Sequence, residues 1–433
     1  MFRPTGFADL AGKTVGIFGF GVEGRASARR LEGVARLIIV DDADLADEAH
    51  RTNEGGLEAL LGCDVVLKSP GIARRRSDVL ALEAAGVAVT SALNLWLHDT
   101  DRERVVAVTG TKGKSTTTSL ITFFLNCLDE EATSVGNIGR PPYDPEHAPA
   151  EGWLVLEVSS FQSVDLDVAP ATVVVTSLGS DHLDWHGSLE QYWSDKLSLT
   201  RASGEHHTFV ASAVAQVARD LLGGDVVEIE PGYDELVRAL GLLGRHSASN
   251  VALALAVVGA LTHRSRESVA ASAMAHASSF VPLRGRLTPL GEETRESGLV
   301  RYVDDGLATA ALPTVAALEV FEDEPVALIA GGFDRGVDYG VLVDALARRA
   351  RLTSVVTMGP AGERLAEEIA RRTELSTHGA SSMDEAVRLA RAALHGGGVV
   401  LFSPAAPSFD RYRNWLERSE DFAAHVRPFL DAN

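Results

Sequence analysis

The stretch Val105–Leu120, VVAVTGTKGKSTTTSL, constrains the fold more than any other part of the chain. An apolar, β-rich run (Val105, Val106, Ala107, Val108) stops at Gly110, and a turn of Gly, Lys, Ser and Thr then leads into residues that read as helix. Strand, glycine-rich turn and helix N-terminus in that order make a phosphate loop, because free backbone N–H groups and the helix dipole favour a polyphosphate. Gly110, Thr111, Lys112, Gly113, Lys114, Ser115 and Thr116 therefore read as an ATP site, with the Lys114 ammonium over the β and γ phosphates and the Ser115 hydroxyl on Mg²⁺. The common pattern G-x-x-x-x-G-K-[ST] wants Gly where this chain has Val108. A flexible surface turn would not need the flanking strand and helix.

At 433 residues the prior is two to four domains. A net charge of −20 argues against nucleic acid and acidic membrane surfaces, which require a basic footprint. Two cysteines, Cys63 and Cys127, cannot make a disulfide scaffold and suggest a reducing compartment. The N-terminus lacks a charged-then-apolar leader, and the run Val251–Leu261 falls far short of the ~20 residues a bilayer span needs. A cytoplasmic protein, and a monomer, are expected.

From Thr14 a strand leads to Gly19, Gly21 and Gly24 in G-x-G-x-x-G spacing, and a second strand ends at Asp41 and Asp42. Alone, this favours a nicotinamide dinucleotide, but the same glycines serve any pyrophosphate at a helix N-terminus. The strand DVVLKSPG, a helix near Asp78 and the strand VAVTSAL complete a first α/β unit, and DTDRER (Asp99–Arg104) reads as a linker. After the phosphate loop come the turn SVGNIGRP and the strand of WLVLEVSSFQ with one acid, Glu157, which burial penalises unless it is paired or on a metal. Asp181, His182, Asp184 and His186 crowd the loop after strand VVVTSL. Either histidine alone reads as structural, His186 as a capping or surface residue, and Lys196 as a solvated lysine. His246 and Asn250 share a helix face at i and i+4. A third unit follows, with strands LVRYVDD, PVALIAGG, TSVVTMG and GVVLFSP, and a capping box from Ser382 to Glu385. Alternating strands and helices predict mostly parallel sheets covered on both faces.

Taken together, GTKGKST, GNIGRP, LEVSSFQ, SDHLDWHGSLEQYWSDK, GGFDRGVD and SPAAPSFDRYRNW resemble the Mur ligases, ATP-dependent amide-forming enzymes of peptidoglycan precursor synthesis. The resemblance covers essentially the whole chain and is greatest to the MurD type, which adds glutamate to UDP-N-acetylmuramoyl-L-alanine. It implies an α/β fold of three domains: a Rossmann-like UDP-substrate domain (1–100), a central ATP-binding parallel sheet (101–283) and a Rossmann-like amino-acid domain (284–433). It implies that Gly19, Gly21, Val22, Glu23 and Ser69 face the UDP pyrophosphate, with Asp41 or Asp42 near the uridine, and that Asn137 contacts the muramoyl-alanine. Ser115 would bind one Mg²⁺, and Glu157 with His182 a second. Lys196 aligns with a carbamylated lysine, which turns a cation into an anionic metal ligand. Asn250 would meet the adenine, Asp305 the ribose region, and Arg286 would help close the third domain on the nucleotide. Lys114, Glu157, His182 and Lys196 would carry the catalysis.

Departures from the MurD pattern concentrate where the amino acid should bind. The usual N-D-S-K-A-T-N reads Asp304, Asp305, Gly306, Leu307, Ala308, Thr309, Ala310, so Leu307 stands at the lysine position. Arg335 replaces a lysine, Trp415 a phenylalanine, and Arg284-Gly285-Arg286 the usual P-H-R. Thr309 and Ser408 remain as carboxylate donors. These features look like the variant ligases that add L-glutamate in place of D-glutamate, the D-glutamate ligase being the alternative. An oxidoreductase leaves GTKGKST, Glu157, His182 and Lys196 without a role. A folylpolyglutamate synthase would lack the extra N-terminal unit, and a non-catalytic binding protein would not need the metal ligands.

Overall fold

Three alternations of strand and helix become three sheets, whose named strands among the described residues pair parallel except in one hairpin. The computed structural model describes residues 2–45, 49–138, 140–147 and 152–430. Two compact units result: Met1–Leu236 with His246–Ser278, and Val237–Arg245 with Ser279–Asn433.

The first sheet holds β1 (Thr14–Phe18), β2 (Arg36–Asp41), β3 (His50–Arg51), β4 (Val65–Lys68) and β5 (Ala88–Thr90), in the order β3-β2-β1-β4-β5. The second holds β6 (Val105–Thr109), β7 (Ala132–Gly136), β8 (Trp153–Glu157), β9 (Thr172–Val175), β10 (His207–Ala211) and β11 (Asp225–Ile229), ordered β11-β10-β9-β6-β8-β7. In both, the strand feeding the glycine loop lies inside the sheet where the order reverses, which opens a crevice at its C-terminal end. β6 is buried at all five positions, as a strand covered on both faces must be.

The reading VAVTSAL as one strand is too long. Ser91 Oγ accepts from the Asn94 N–H at 3.1 Å and starts a helix at Ala92–Asp99. Leu93, Leu95 and Leu97 of that helix enter one hydrophobic core with Val15 and Leu67 of the first sheet and Ala107 and Leu156 of the second. The charged patch read as a linker is packed down: Asp99 accepts from the Phe7 N–H at 2.8 Å, and Arg102 donates to the Ala169 carbonyl at 3.1 Å. The expected boundary at 100/101 therefore lies within one compact unit. Lys68 and Asp165, both with fully buried side chains, pair at 2.6 Å between these two sheets. Removing one partner of such a pair typically costs ~3–5 kcal/mol, because the other charge is left buried.

The second unit contains β12 (Thr288–Arg295), β13 (Gly298–Asp304), β14 (Val326–Gly331), β15 (Leu352–Met358), β16 (Thr377–Ala380) and β17 (Gly398–Phe402), ordered β12-β13-β17-β14-β15-β16. Of the strands named here, only β12 and β13 pair antiparallel. The capping box at Ser382 forms by half: Ser382 Oγ accepts from the Glu385 N–H, but the Glu385 carboxylate reaches back to Ser381.

Candidate active site

The sequence Gly110–Lys114 folds as a loop because its glycines take backbone conformations that other residues resist. Gly110 has φ +141° and Gly113, which precedes the helix Lys114–Asn126, has φ +86°. A Cβ on Gly113 would stand 2.6 Å from Asn250 Oδ1, so the helix Arg245–Thr262 braces the loop from behind. Asn250, which the resemblance puts at the adenine, has its carboxamide beside the phosphate-loop turn. From the other side, the Thr111 N–H donates to the Ser177 carbonyl at 2.8 Å, and Thr111 Oγ1 accepts from the Gly179 N–H and the Tyr192 hydroxyl, each at 3.0 Å.

Two lysines converge on one carbonyl. Lys114 Nζ and Lys196 Nζ each donate to the Gly110 oxygen at 2.9 Å. Lys196, read from sequence as solvated, is 2% exposed at the end of the helix Leu189–Lys196. Burial, and then the Lys114 charge beside it, push its pKa well below the usual lysine value.

Glu157 ends β8, beside β6, and is 2% exposed. One carboxylate oxygen accepts from Asn137 Nδ2 at 2.9 Å, and the other is buried with no hydrogen-bond partner. A buried carboxylate oxygen without a donor is costly and suits a cation. His182 takes φ +50° at the turn before Leu183–His186, half-exposed, with its ring 4.8 Å from Phe161. Lys112 and Asp181 form an exposed pair at 3.4 Å beside it. Among the described residues no group of three or more His, Cys, Asp or Glu side chains is arranged to hold a metal ion. Donors for Mg²⁺ would therefore have to include the Ser115 hydroxyl, phosphate or water beside Glu157 and His182. Gly139 of the GNIGRP motif and the side chain of Asp184 lie outside what is described.

His186 departs from its sequence reading. Its side chain is fully buried, with Nδ1 2.7 Å from Asp195 Oδ2 and Nε2 3.0 Å from Ser160 Oγ. Burial holds its pKa below the usual histidine value, against the pull of Asp195.

In the first sheet the three glycines divide their tasks. Gly19 has φ +92° and its carbonyl accepts from Ser69 Oγ at 2.6 Å. Gly21 has nothing within 4 Å of a would-be Cβ, and a Cβ on Gly24 would strike the Gly19 oxygen at 2.0 Å. Turn, open approach and close helix packing are what a dinucleotide-type loop asks of its glycines. Val22 is 66% exposed beside it. Asp41 accepts from the Phe20 N–H at 2.6 Å and from the Ala43 N–H, which fixes the loop, while Asp42 pairs with Arg76 and Thr52. Glu23 is turned to the second sheet: Gln162 Nε2 donates to it at 2.6 Å and the Tyr143 hydroxyl at 3.1 Å.

In the second unit the ends of β13, β17 and β14 lie side by side. Asp305 accepts from Ser403 Oγ at 2.8 Å and from the Leu287 N–H, and burial pushes its carboxyl up to about 7. Asp304 accepts from the Gly306 N–H and from Ser419, holding the turn. Arg335 Nη2 donates to the Thr309 carbonyl at 3.0 Å, and Ser408 is buried in the turn before the helix Trp415–Leu430. Three of the departures meet here. A Cβ on Gly285 would stand 2.7 Å from the Trp415 ring and 3.3 Å from the Leu307 nitrogen, whose N–H donates to the Gly285 carbonyl. The large indole is thus accommodated by a residue without a side chain. Arg286 follows directly, its N–H donating to Thr288 Oγ1 at 3.4 Å.

Residues 108–226, the span that builds this phosphate loop and the Glu157 strand end, match the Mur ligase middle domain. A protein of Micromonospora sp. named UDP-N-acetylmuramoyl-L-alanine--L-glutamate ligase is 38% identical over 97% of this chain and 98% of its own length. The chain belongs to the Mur ligase family. Like other Mur ligases it is an ATP-dependent, ADP-forming amide ligase. Relatives of the same name from Salinispora tropica and Xanthomonas euvesicatoria are 36% and 34% identical, over 97% and 96% of this chain and 98% and 95% of theirs. The Mur ligase fold is also found in solved structures: MurF of Thermotoga maritima in complex with ADP (14% identity, TM-score 0.55, 98% and 96% covered), and UDP-N-acetylmuramate-alanine ligase MurC of Thermotoga maritima (17%, 0.53, 96% and 99%). Among the described residues no helix is long and apolar enough to cross a membrane.

Proposed function

We propose that this Mur ligase joins L-glutamate to UDP-N-acetylmuramoyl-L-alanine in the cytoplasm, through an acyl phosphate. The observation that carries the chemistry is the juxtaposition of Lys114 and Lys196 on the Gly110 carbonyl at the phosphate loop. The muramoyl-alanine carboxylate takes the γ-phosphoryl group of ATP, giving acyl phosphate and ADP. The glutamate amine then attacks the acyl carbon, the C–N bond forms, phosphate leaves and the amine gives up a proton. Lys114 neutralises charge gathering on the phosphoryl oxygens, and the loop N–H groups position them. Mg²⁺, held by Ser115, Glu157 and His182, would add Lewis-acid charge neutralisation. Burial lowers the Lys196 pKa, and the neutral amine is the form that carbon dioxide can carbamylate, which fits Lys196 as an anionic metal ligand.

We assign the nucleotide-sugar to residues 1–100, ATP to 101–283 and the amino acid to 284–433. In the last, Arg335, whose Nη2 donates to the Thr309 carbonyl, offers a bidentate fork to the glutamate side-chain carboxylate, and Thr309 and Ser408 are further donors for it. The L enantiomer is supported by the names of the relatives from Micromonospora sp. and Salinispora tropica, which are L-glutamate ligases, and by Leu307, Arg335 and Trp415 together. Purified protein with UDP-N-acetylmuramoyl-L-alanine, Mg-ATP and each glutamate enantiomer tests this. Faster ADP release is expected with L-glutamate; faster release with D-glutamate refutes the stereochemical assignment, and none with either refutes the function.

A further inference from the structure

Ser160, His186 and Asp195 have no part in the reaction as written, yet each sits next to a residue that does. Ser160 opens a short helix three residues after Glu157, His186 comes four residues after His182, and Asp195 precedes Lys196. The imidazole joins all three segments through its two nitrogens, Nδ1 to Asp195 at 2.7 Å and Nε2 to Ser160 at 3.0 Å. A carboxylate only accepts, so Nδ1 carries the proton, and Nε2 accepts from the Ser160 hydroxyl.

The chain is boxed in. The ring stacks on Phe161 at 5.5 Å, with Trp185 at 4.4 Å and Tyr192 at 5.1 Å. Gln191 Nε2 and Arg75 also donate to Asp195, and Tyr192 reaches on to Thr111 of the phosphate loop. The residue types are those of a hydrolase triad, but Ser160 is 3% exposed, so no ester or amide reaches its oxygen. Ser, His and Asp buried together, each satisfied by the next, make a spacer of fixed length.

We propose that His186 is a positioning residue for phosphoryl transfer, a single imidazole that fixes the spacing of the segments bearing Glu157, His182 and Lys196. The proposal rests on the ligase reading above. Three variants grade it: Ser160→Ala removes one link, His186→Asn keeps a donor toward Asp195 but drops Ser160, and His186→Phe keeps the ring packing and drops both. ADP release with UDP-N-acetylmuramoyl-L-alanine and glutamate should fall in kcat by about 10- to 100-fold in His186→Phe, a typical loss for misplaced reacting groups. Smaller losses are expected in Ser160→Ala and His186→Asn, with KM for the nucleotide-sugar changing less than kcat in all three, because the Gly19–Gly24 loop is not touched. Independently of activity, Mg²⁺ titrated against the ADP-loaded protein should stabilise His186→Phe to heat only at higher Mg²⁺ than wild type. Unchanged kcat and Mg²⁺ dependence with only a lower melting temperature would show a purely structural histidine and overturn the proposal. Should His186→Phe not fold, Ser160→Ala decides on the same two readouts. Wild-type protein that releases no ADP would instead sink the ligase reading.

Discussion

The first compact unit contains two glycine loops, each following an interior parallel strand and opening a helix, and they handle negative charge in opposite ways. The loop after β6 gathers two lysines, Lys114 and Lys196, on the Gly110 carbonyl. The loop after β1 has an acid, Glu23, in the first turn of its helix Val22–Leu31, and Asp41 bonded to its Phe20 N–H. A pyrophosphate that is only held needs backbone donors and a helix dipole. A phosphoryl group that is transferred gathers charge in the transition state and needs a cation poised to meet it, here Lys114, while Lys196 beside it serves on the proposed function as a carbamylated metal ligand. On the proposed function the same strand–turn–helix device serves both ends of one substrate pair, and the side chains after the last glycine set which task it performs.

Lys114→Met should break the second loop most completely. Losing the ammonium should lower kcat for ADP release by ~10³-fold, at the upper end of what one preorganised charge donor supplies, while UDP binding measured by calorimetry stays near wild type. A fall of less than tenfold would remove Lys114 from the transition state. Lys196→Ala comes next, with kcat down ~10²-fold or more and nucleotide-sugar binding nearly intact. Full activity in that variant would contradict its metal role.

Gly113→Ala and Gly21→Ala then separate the loops by stability. At Gly113 a methyl group meets Asn250 at a φ of +86°, so a loss of about 1–3 kcal/mol is expected, read as a lower denaturant midpoint. At Gly21 the φ is −74° and no atom lies within 4 Å, so stability should hold within ~0.5 kcal/mol while KM for the nucleotide-sugar rises. Equal destabilisation by the two substitutions would show that the loops are built alike.

Much of this was legible in the sequence because the two loops are local: strand, glycines and helix are contiguous, and their chemistry follows from residue order. What the sequence hid was settled by distant neighbours. Lys196 looks like any charged residue late in a helix, and only the Gly110 carbonyl, 86 positions earlier, makes it buried. His186 is pinned by Ser160 and Asp195, 26 and 9 positions away, and no periodicity reports such a bond. The edge strands β11 and β16 are faint in the sequence because DVVEI and THGA are short and half polar, as sheet edges are. Ser91 is a local signal of another kind: a serine three residues before Asn94 is an N-cap, and it divides VAVTSAL into strand and helix.

Glu23→Gln tests the acid-bearing loop with the smallest expected effect. Burial raises the Glu23 pKa above its usual value, opposed by the bonds from Gln162 and Tyr143. The folded protein therefore keeps a proton that the unfolded chain has already released, so stability is fullest at pH values below the unfolded pKa of about 4.5 and declines as pH rises through the folded value. Glutamine cannot ionise and keeps an acceptor for Gln162, while its amide can donate to the Tyr143 oxygen. Its stability relative to wild type should therefore improve as pH rises from 4 to 7, measured by urea unfolding at each pH. A difference that stays constant across that range would mean that Glu23 ionises as freely in the folded chain as in the unfolded one. The contrast between the loops would then rest on the lysines alone.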